Sequence, residues 1–554
     1  MAFANGPTDD RKTSMPSLLA RLYFSPFGYL NCTQFLGAMN DNIFKLLAVF
    51  CFISIEGSAS SHSILASVGA LYVIPFLLLS ATAGTMADRF SKRSIIVGAK
   101  IAECLVMLFG AWAFSLGSKP LAFTALFLLA CHSAIFAPCK YGIVPEIVPP
   151  ERISKANGLL TSFTFIAIII GTFLASFLTD MSDHDFITAS VPSICFAAVG
   201  LYCALKIPKT APSGSKKAIS ARFLTEIVRN LFIIYKQPTL LSAVIGSSFF
   251  LFIGSYIQLN MIPFALQNLH LSDVQGGYLF LLTALGIGIG SLLAGKISGK
   301  SVELGFVPFG GLGIALCLFA LSAFSDYLMV EIGLVILIGI FGGLYLVPLD
   351  SFIQIASPKT IRGQVIATSN FLGFFGVLCS AGMLYFLSET LELEPRAGFF
   401  AVGLITLTIM VFITMAIRGY LVRFICELTS KLFFKNISLE VGDIPAGTPS
   451  FIVADLPPWP WAALIVGRQR HRMRLIEVMP SQTLSAWYVR LLKYIVSVHE
   501  VASLEAIRPG GTRANLVTTA FQRGTSVAIF CRQPEGKLQE EWQSHLKDTS
   551  FFTF

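Results

Sequence analysis

Three polar residues in a row, Asn40, Asp41 and Asn42, interrupt an otherwise apolar stretch, and Lys45 follows four residues after the aspartate. An ionisable group in the middle of a membrane-length apolar segment costs about 2.5–3.5 kcal/mol on insertion scales, so it is expected to face a cavity or a partner. At i and i+4, Asp41 and Lys45 share one helical face. Together they would bind a zwitterionic headgroup or couple to a cation; the alternative is a structural pair that neutralises itself. Lys140, in Pro138-Cys139-Lys140-Tyr141-Gly142, reads either as a counter-ion for a phosphate or as a lysine reaching the nearby interface, since Pro145 and Glu146 mark a helix end close by. Glu103 and Asp350 are the remaining deep or half-deep carboxylates, each a carrier for a coupling ion or a capped, interfacial acid. Asp41 ranks above both. Gln258 and Asn260 offer uncharged contacts at most.

The elements that must position these residues follow from composition. Of 554 residues, 55% are hydrophobic and 13% charged, about half the charged share of a soluble protein. That much apolar side chain must face lipid or neighbouring helices, which excludes a disordered, collagen-like or nucleic-acid-binding chain. Apolar runs long enough to cross a bilayer, about 20 residues each, fall at roughly 29–55, 64–87, 95–117, 121–145, 157–180, 186–206, 239–267, 275–298, 305–325, 328–350, 366–388 and 398–419. The fold class is therefore an all-α polytopic membrane protein of twelve helices. Residues 1–429 hold 26 Lys/Arg and 21 Asp/Glu, whereas the much shorter 430–554 holds 14 and 10, so a small, more ordinary domain follows the helices. Ten of the eleven cysteines lie in the apolar part with no CxxC or Cys/His cluster, so neither disulfides, a metal nor a cofactor is expected. Residues 1–28 lack the pattern of a cleaved leader.

Lys and Arg gather in loops on one side, among them Arg89, Lys92, Arg93, Arg152, Lys155 and Lys359, while the other side carries Asp180, Asp183, Asp185, Glu389, Glu392 and Glu394. The basic side is expected to be cytoplasmic, with both termini on it and anionic lipid against it. A Pro/Ser/Lys-rich linker, 207–238, with an amphipathic second half, divides six helices (29–206) from six (239–420). Gly84-x-x-x-Asp88-Arg89 after the second helix recurs as Gly295-x-x-x-Gly299-Lys300 after the eighth, and Pro149-Pro150-Glu151-Arg152 recurs as Ser357-Pro358-Lys359. Such 6+6 repetition is the signature of a transporter with its site between the halves.

The segment Gly84-Thr-Met-Ala-Asp88-Arg89-Phe-Ser-Lys92-Arg93 resembles the loop motif of the major facilitator superfamily between its second and third helices. There, an Asp at a helix end and a nearby Arg are expected to bridge charged groups on adjacent helices in one conformation and release them in the other; a static anchor is the alternative. Gly84, Asp88, Arg89 and Arg93 are accordingly candidate gating residues. FLGAMNDNIFK (35–45), FAPCKYGIVPEIVPPERISKANG (136–158), VELGFVPFG (302–310) and SPKTIRGQVIATSNFLGF (357–374) further resemble the lysophospholipid transporter family. Its members are free-standing carriers or the first domain of fusions with an acyltransferase and an acyl-carrier-protein synthetase. The resemblance implies flipping or import of lysophospholipids, such as lysophosphatidylethanolamine, across the bacterial inner membrane for reacylation, with such an acyltransferase as partner. No ATP-binding loop is present, so a gradient must drive movement, with Na⁺ or H⁺ as candidate coupling ions.

Residues 430–554 show β-like runs at 451–455 and 525–530 and an apolar-basic helix near 484–496, a small cytoplasmic α/β domain. They resemble the start of a glycerolipid acyltransferase, with SFIVADLPPWPWAALIV standing where that family carries His-x-x-x-x-Asp. Without the histidine no general base serves the attacking hydroxyl. Asp455 and Trp459 cannot replace it, His471 and His499 have no Asp five residues on, and Pro534-Glu535-Gly536 follows an extra Cys-Arg-Gln. The tail is expected to be catalytically dead. Trp459, Trp461 and Arg468, Arg470, Arg472 and Arg474 suit an anionic-lipid interface or a plain solvated face. A carrier of another amphipathic or small solute, and a helix-anchored acyltransferase, are the competing functions.

Overall fold

A computed structural model describes residues 25–433 apart from 58–60, 221, 299–301 and 325–326, and beyond them chiefly five strands between residues 450 and 553. The chain divides into two compact units, Met1–Val302 with Phe309–Val411, and Glu303–Pro308 with Phe412–Phe554.

Among the described residues, twelve helices are long and apolar enough to cross a membrane. The first six are α1 Pro26–Glu56, α2 Ser61–Arg89, α3 Lys92–Ser115, α4 Lys119–Gly142, α5 Ile153–Met181 and α6 Phe186–Lys206. The second six are α7 Pro238–Gln267, α8 Asp273–Ile297, α9 Phe306–Ala323, α10 Leu328–Ala356, α11 Arg362–Tyr385 and α12 Pro395–Phe433. Their starts follow local chemistry. Ser25 caps α1, its hydroxyl accepting from the Gly28 N–H at 3.0 Å; Asp185 caps α6; Ser272 and Gln275 form a capping box on α8. Each satisfies N–H groups that the first helical turn leaves open.

Two boundaries differ from expectation. Helix α10 continues through Pro348 to Ala356, so Asp350 lies inside the helix and not at its end. Helix α12 runs to Phe433 instead of stopping near 419. The amphipathic half of the linker is a separate helix, Phe223–Tyr235.

The halves touch at the helix ends nearest the linker. Gly84 of α2 and Gly363 of α11 lie so close that a Cβ on either would stand 2.8 Å from the other's carbonyl oxygen, a backbone approach only glycine permits. Nearby, Asn157 of α5 and Gln354 of α10 exchange amide hydrogen bonds at 2.9 and 3.1 Å. The linker fastens to the same region. Ser213 accepts from Lys92 at 2.7 Å, Asn230 donates to Thr368 of α11 at 3.2 Å, and Lys217 donates to Gln364.

In the second unit five strands, β1 Ser450–Ala454, β2 Met473–Val478, β3 His499–Ala502, β4 Ser526–Phe530 and β5 Ser550–Thr553, form one sheet in the order β3-β2-β4-β1-β5. Every pairing is parallel, with Ile452 opposite Ala528 and Leu475 opposite both Ala528 and His499. Parallel neighbours need crossover connections. The helix expected near 484–496, and Asp455, Trp459, Trp461, His471 and Pro534–Gly536, lie outside the described residues.

Candidate functional site

Helix α1 supplies three consecutive polar side chains, and because successive residues turn about 100° around a helix, each meets a different neighbour. Asn40 is fully buried and donates to Oε1 of Glu103 on α3 at 3.1 Å. Asp41 is half-buried, and its Oδ2 accepts from Tyr72 of α2 at 3.0 Å and Ser133 of α4 at 2.7 Å, while Oδ1 has no hydrogen-bond partner among the described residues. Asn42 takes the ammonium of Lys45 at 3.2 Å.

The Asp41–Lys45 ion pair anticipated from i,i+4 spacing is therefore not formed. Lys45 bonds Asn42, three residues back, and lies 5.8 Å from the Tyr72 ring centroid. The tyrosine hydroxyl occupies the carboxylate in its place.

Glu103 sits at the centre of a buried polar group that the sequence did not disclose. Lys100, one turn earlier on α3, reaches its Oε2 at 2.5 Å with both side chains wholly buried, and His132 Nε2 of α4 stands 3.4 Å from the same oxygen. Room for the lysine head comes from α1: a Cβ on Gly37 would lie 2.5 Å from Lys100 Nζ. Phe136 covers it, 5.4 Å from ring centroid to ammonium. The spacing Lys100-x-x-Glu103 inside an apolar helix, and His132 amid FLLACHSAIF, were the signals available.

Lys140 is half-buried near the end of α4, its ammonium 4.7 Å from the Tyr141 ring centroid. The carboxylates acting on its charge are Asp41 in the first half and Asp350 in the second. Asp350 accepts from Ser247 of α7 at 2.8 Å and lines a pocket with Tyr141, Ser247, Gln354, Ser369 and Asn370.

The loop motif works differently from the expected charge bridge. Asp88 is buried against the start of α11, its carboxylate accepting from the backbone N–H of Gly363 at 2.7 Å and of Gln364 at 3.0 Å, and from the Gln364 amide at 3.1 Å. A helix N-terminus, carrying roughly half a positive charge, takes the place of a cationic side chain. Arg89 is exposed beside Phe90. Arg93 donates to the Leu205 and Ile207 carbonyls at the end of α6, and Lys92 pairs with Glu146 at 2.6 Å. Among the described residues no three metal-ligating side chains converge.

The profile of the Major Facilitator Superfamily matches residues 30–381 and 245–423. The lysophospholipid transporter LplT of Cronobacter sakazakii (strain ATCC BAA-894) is 31% identical over 376 residues, 66% of this chain and 89% of that protein. The chain belongs to the major facilitator superfamily, within its lysophospholipid transporter family. LplT of Photorhabdus laumondii is 28% identical over 345 residues, covering 61% of this chain and 82% of that protein. Among solved structures, the facilitator FucP in its outward conformation superposes with a TM-score of 0.58 at 16% identity, over 72% of this chain and 99% of that one. The human organic anion transporter MFSD10 gives 0.58 at 15%, over 70% and 99%. At such identities the likeness is one of fold. Membership makes this facilitator a multi-pass membrane transporter rather than an enzyme.

Proposed function

We propose that this facilitator moves lysophospholipids, such as lysophosphatidylethanolamine, across a bacterial inner membrane by alternating access, delivering them for reacylation. The observation that carries the reading is Asp41: a half-buried carboxylate in the middle of α1 with one oxygen lacking a partner among the described residues, in a chain whose relatives are named lysophospholipid transporters. Asp41 would meet the headgroup amine and Lys140 its phosphate, with Asp350 acting on Lys140 from across the halves. Lys45 and Asn42 would border that site, while Asn40 and Glu103 hold Asp41's helix in register. Phosphate recognition by a lone ammonium suits a mobile single-chain lipid.

The linker side is cytoplasmic by its Lys/Arg content, with both termini there. Gly84, Asp88, Arg89 and Arg93 form the gate on that side, Asp88 releasing α11 when the halves part. The domain at 430–554 is a non-catalytic acyltransferase relic, and a separate acyltransferase and acyl-carrier-protein synthetase consume the delivered lipid. Purified protein in proteoliposomes, given labelled lysophosphatidylethanolamine, tests the reading. Saturable, protein-dependent uptake supports it, and uptake no faster than from empty liposomes refutes it.

A further inference from the structure

Between residues 214 and 237 the linker carries five Lys/Arg against one acid, Glu226. Its helical part, Phe223–Tyr235, is too short to cross a bilayer, which takes about 20 residues, yet it is apolar around much of its circumference. One apolar stripe is used within the protein. Ile227 is buried with Ala81 of α2 and Phe371 of α11, and Phe223, Leu231 and Leu77 pack around them. Asn230, beside that stripe, donates to Thr368 of α11 at 3.2 Å. The linker helix therefore lies across the seam where α2 of the first half meets α11 of the second.

A second apolar stripe has no such use. At about 100° per residue, Leu224, Val228, Phe232 and Tyr235 fall within about 80° of one another, and they stand 58%, 49%, 70% and 71% exposed. In water such a stripe would be a continuous exposed apolar patch.

The depth at which the helix packs places this stripe in lipid. Ala81 lies more than two turns before the end of α2 at Arg89, and Phe371 more than two turns after the start of α11 at Arg362, about 12–14 Å along each helix. Both contacts fall inside the membrane-length spans Ser63–Arg89 and Lys359–Thr390. The outer stripe continues the exposed apolar surface of those spans, to which Leu78 and Phe375 belong. Next to it around the helix come Thr225, Arg229 and Lys236, with Arg222 at the helix start, all exposed. Glu226 offsets part of this charge, meeting Lys217 and Arg229 at 2.5 Å each. An apolar arc edged on one side by basic residues is the pattern of a helix lying in the plane of a membrane interface.

We infer that the linker helix docks onto anionic phospholipid in the leaflet on its own side of the membrane. Leu224, Val228, Phe232 and Tyr235 enter among the acyl chains, and Arg222, Arg229 and Lys236 hold phosphate headgroups, which keeps the helix across the α2–α11 seam. This interaction goes beyond the transport reading and does not depend on which solute is carried.

The test uses full-length protein with p-benzoylphenylalanine in place of Phe232 or, as a reference, of Leu105, which is 62% exposed midway along α3. Each protein is reconstituted into equimolar phosphatidylglycerol and phosphatidylethanolamine and irradiated, and its adducts are identified by mass spectrometry. Position 232 should yield phospholipid adducts as position 105 does, with a phosphatidylglycerol-to-phosphatidylethanolamine ratio at least about threefold higher than at 105. In the variant Arg222→Gln/Arg229→Gln/Lys236→Gln that ratio should fall to the value at 105. Phospholipid adducts at 105 but none at 232, or adducts at 232 that join it to residues 430–554 or to a second copy of the chain, would overturn the docking. Equal ratios at the two positions, or a ratio unchanged in the triple variant, would overturn the anionic seat.

Discussion

In the first half of the molecule, four ionisable side chains from three helices, Asp41, Lys100, Glu103 and His132, meet in one connected cluster, whereas the second half buries Glu331 with neither carboxylate oxygen bonded among the described residues and sets Asp350 against Ser247. Two halves built on the same six-helix plan therefore divide the work. Strong, desolvated ion pairing stays inside one rigid half, where alternating access need not break it. The contacts that must break between halves are gentler: a carboxylate on a helix N-terminus at Asp88 and an amide pair at Asn157 and Gln354. Buried charge pairs are costly to split, and neutral hydrogen bonds are worth about 0.5–1.5 kcal/mol each.

The contrast breaks most visibly at Lys100. Lys100→Met leaves Glu103 buried without its cation and is expected to destabilise the protein by about 3–5 kcal/mol, read as a lowered thermal midpoint in detergent. The double variant Lys100→Met/Glu103→Gln should recover most of that loss, and a double variant no better than the single one would show that the pair is not the support of the half. Next in size, Asp41→Asn should cut lysophosphatidylethanolamine uptake at least about tenfold, or about 1.4 kcal/mol, with little change in thermal midpoint because Tyr72 and Ser133 keep an acceptor.

At the gate, Asp88→Asn retains one acceptor and loses the charge facing the α11 N-terminus. A shift of about 1–2 kcal/mol toward the open form is expected, visible as longer distances between spin labels placed at Arg89 and Lys359. An unchanged distance distribution would make Asp88 a static cap. Smallest of all, Asp350→Asn should slow uptake only about two- to threefold, under about 0.7 kcal/mol, since it acts on Lys140 through space and keeps its bond to Ser247. A loss larger than that of Asp41→Asn would move the principal site into the second half.

The helices were legible in the sequence because each apolar run must satisfy its own backbone inside the membrane, and the 6+6 division because the loop motifs repeat. Asp41 was legible as a polar residue at an expensive depth. Its partner was not: i,i+4 spacing places Lys45 on the same face, but Tyr72 and Ser133 arrive from other helices, and only packing decides which hydroxyls reach the carboxylate first. Lys100 and His132 were hidden for the same reason, each looking like an isolated polar residue in an apolar run until α1, α3 and α4 are brought together. Asp88 was recognised by its motif, but what it meets here was not legible, because the charge belongs to a helix end and to no side chain.

The most direct test compares wild-type and Asp41→Asn protein, matched for reconstituted amount, in uptake of labelled lysophosphatidylethanolamine. Saturable uptake by the wild type that falls at least about tenfold in the variant is the predicted result. Uptake equal in the two would contradict a substrate site built around Asp41.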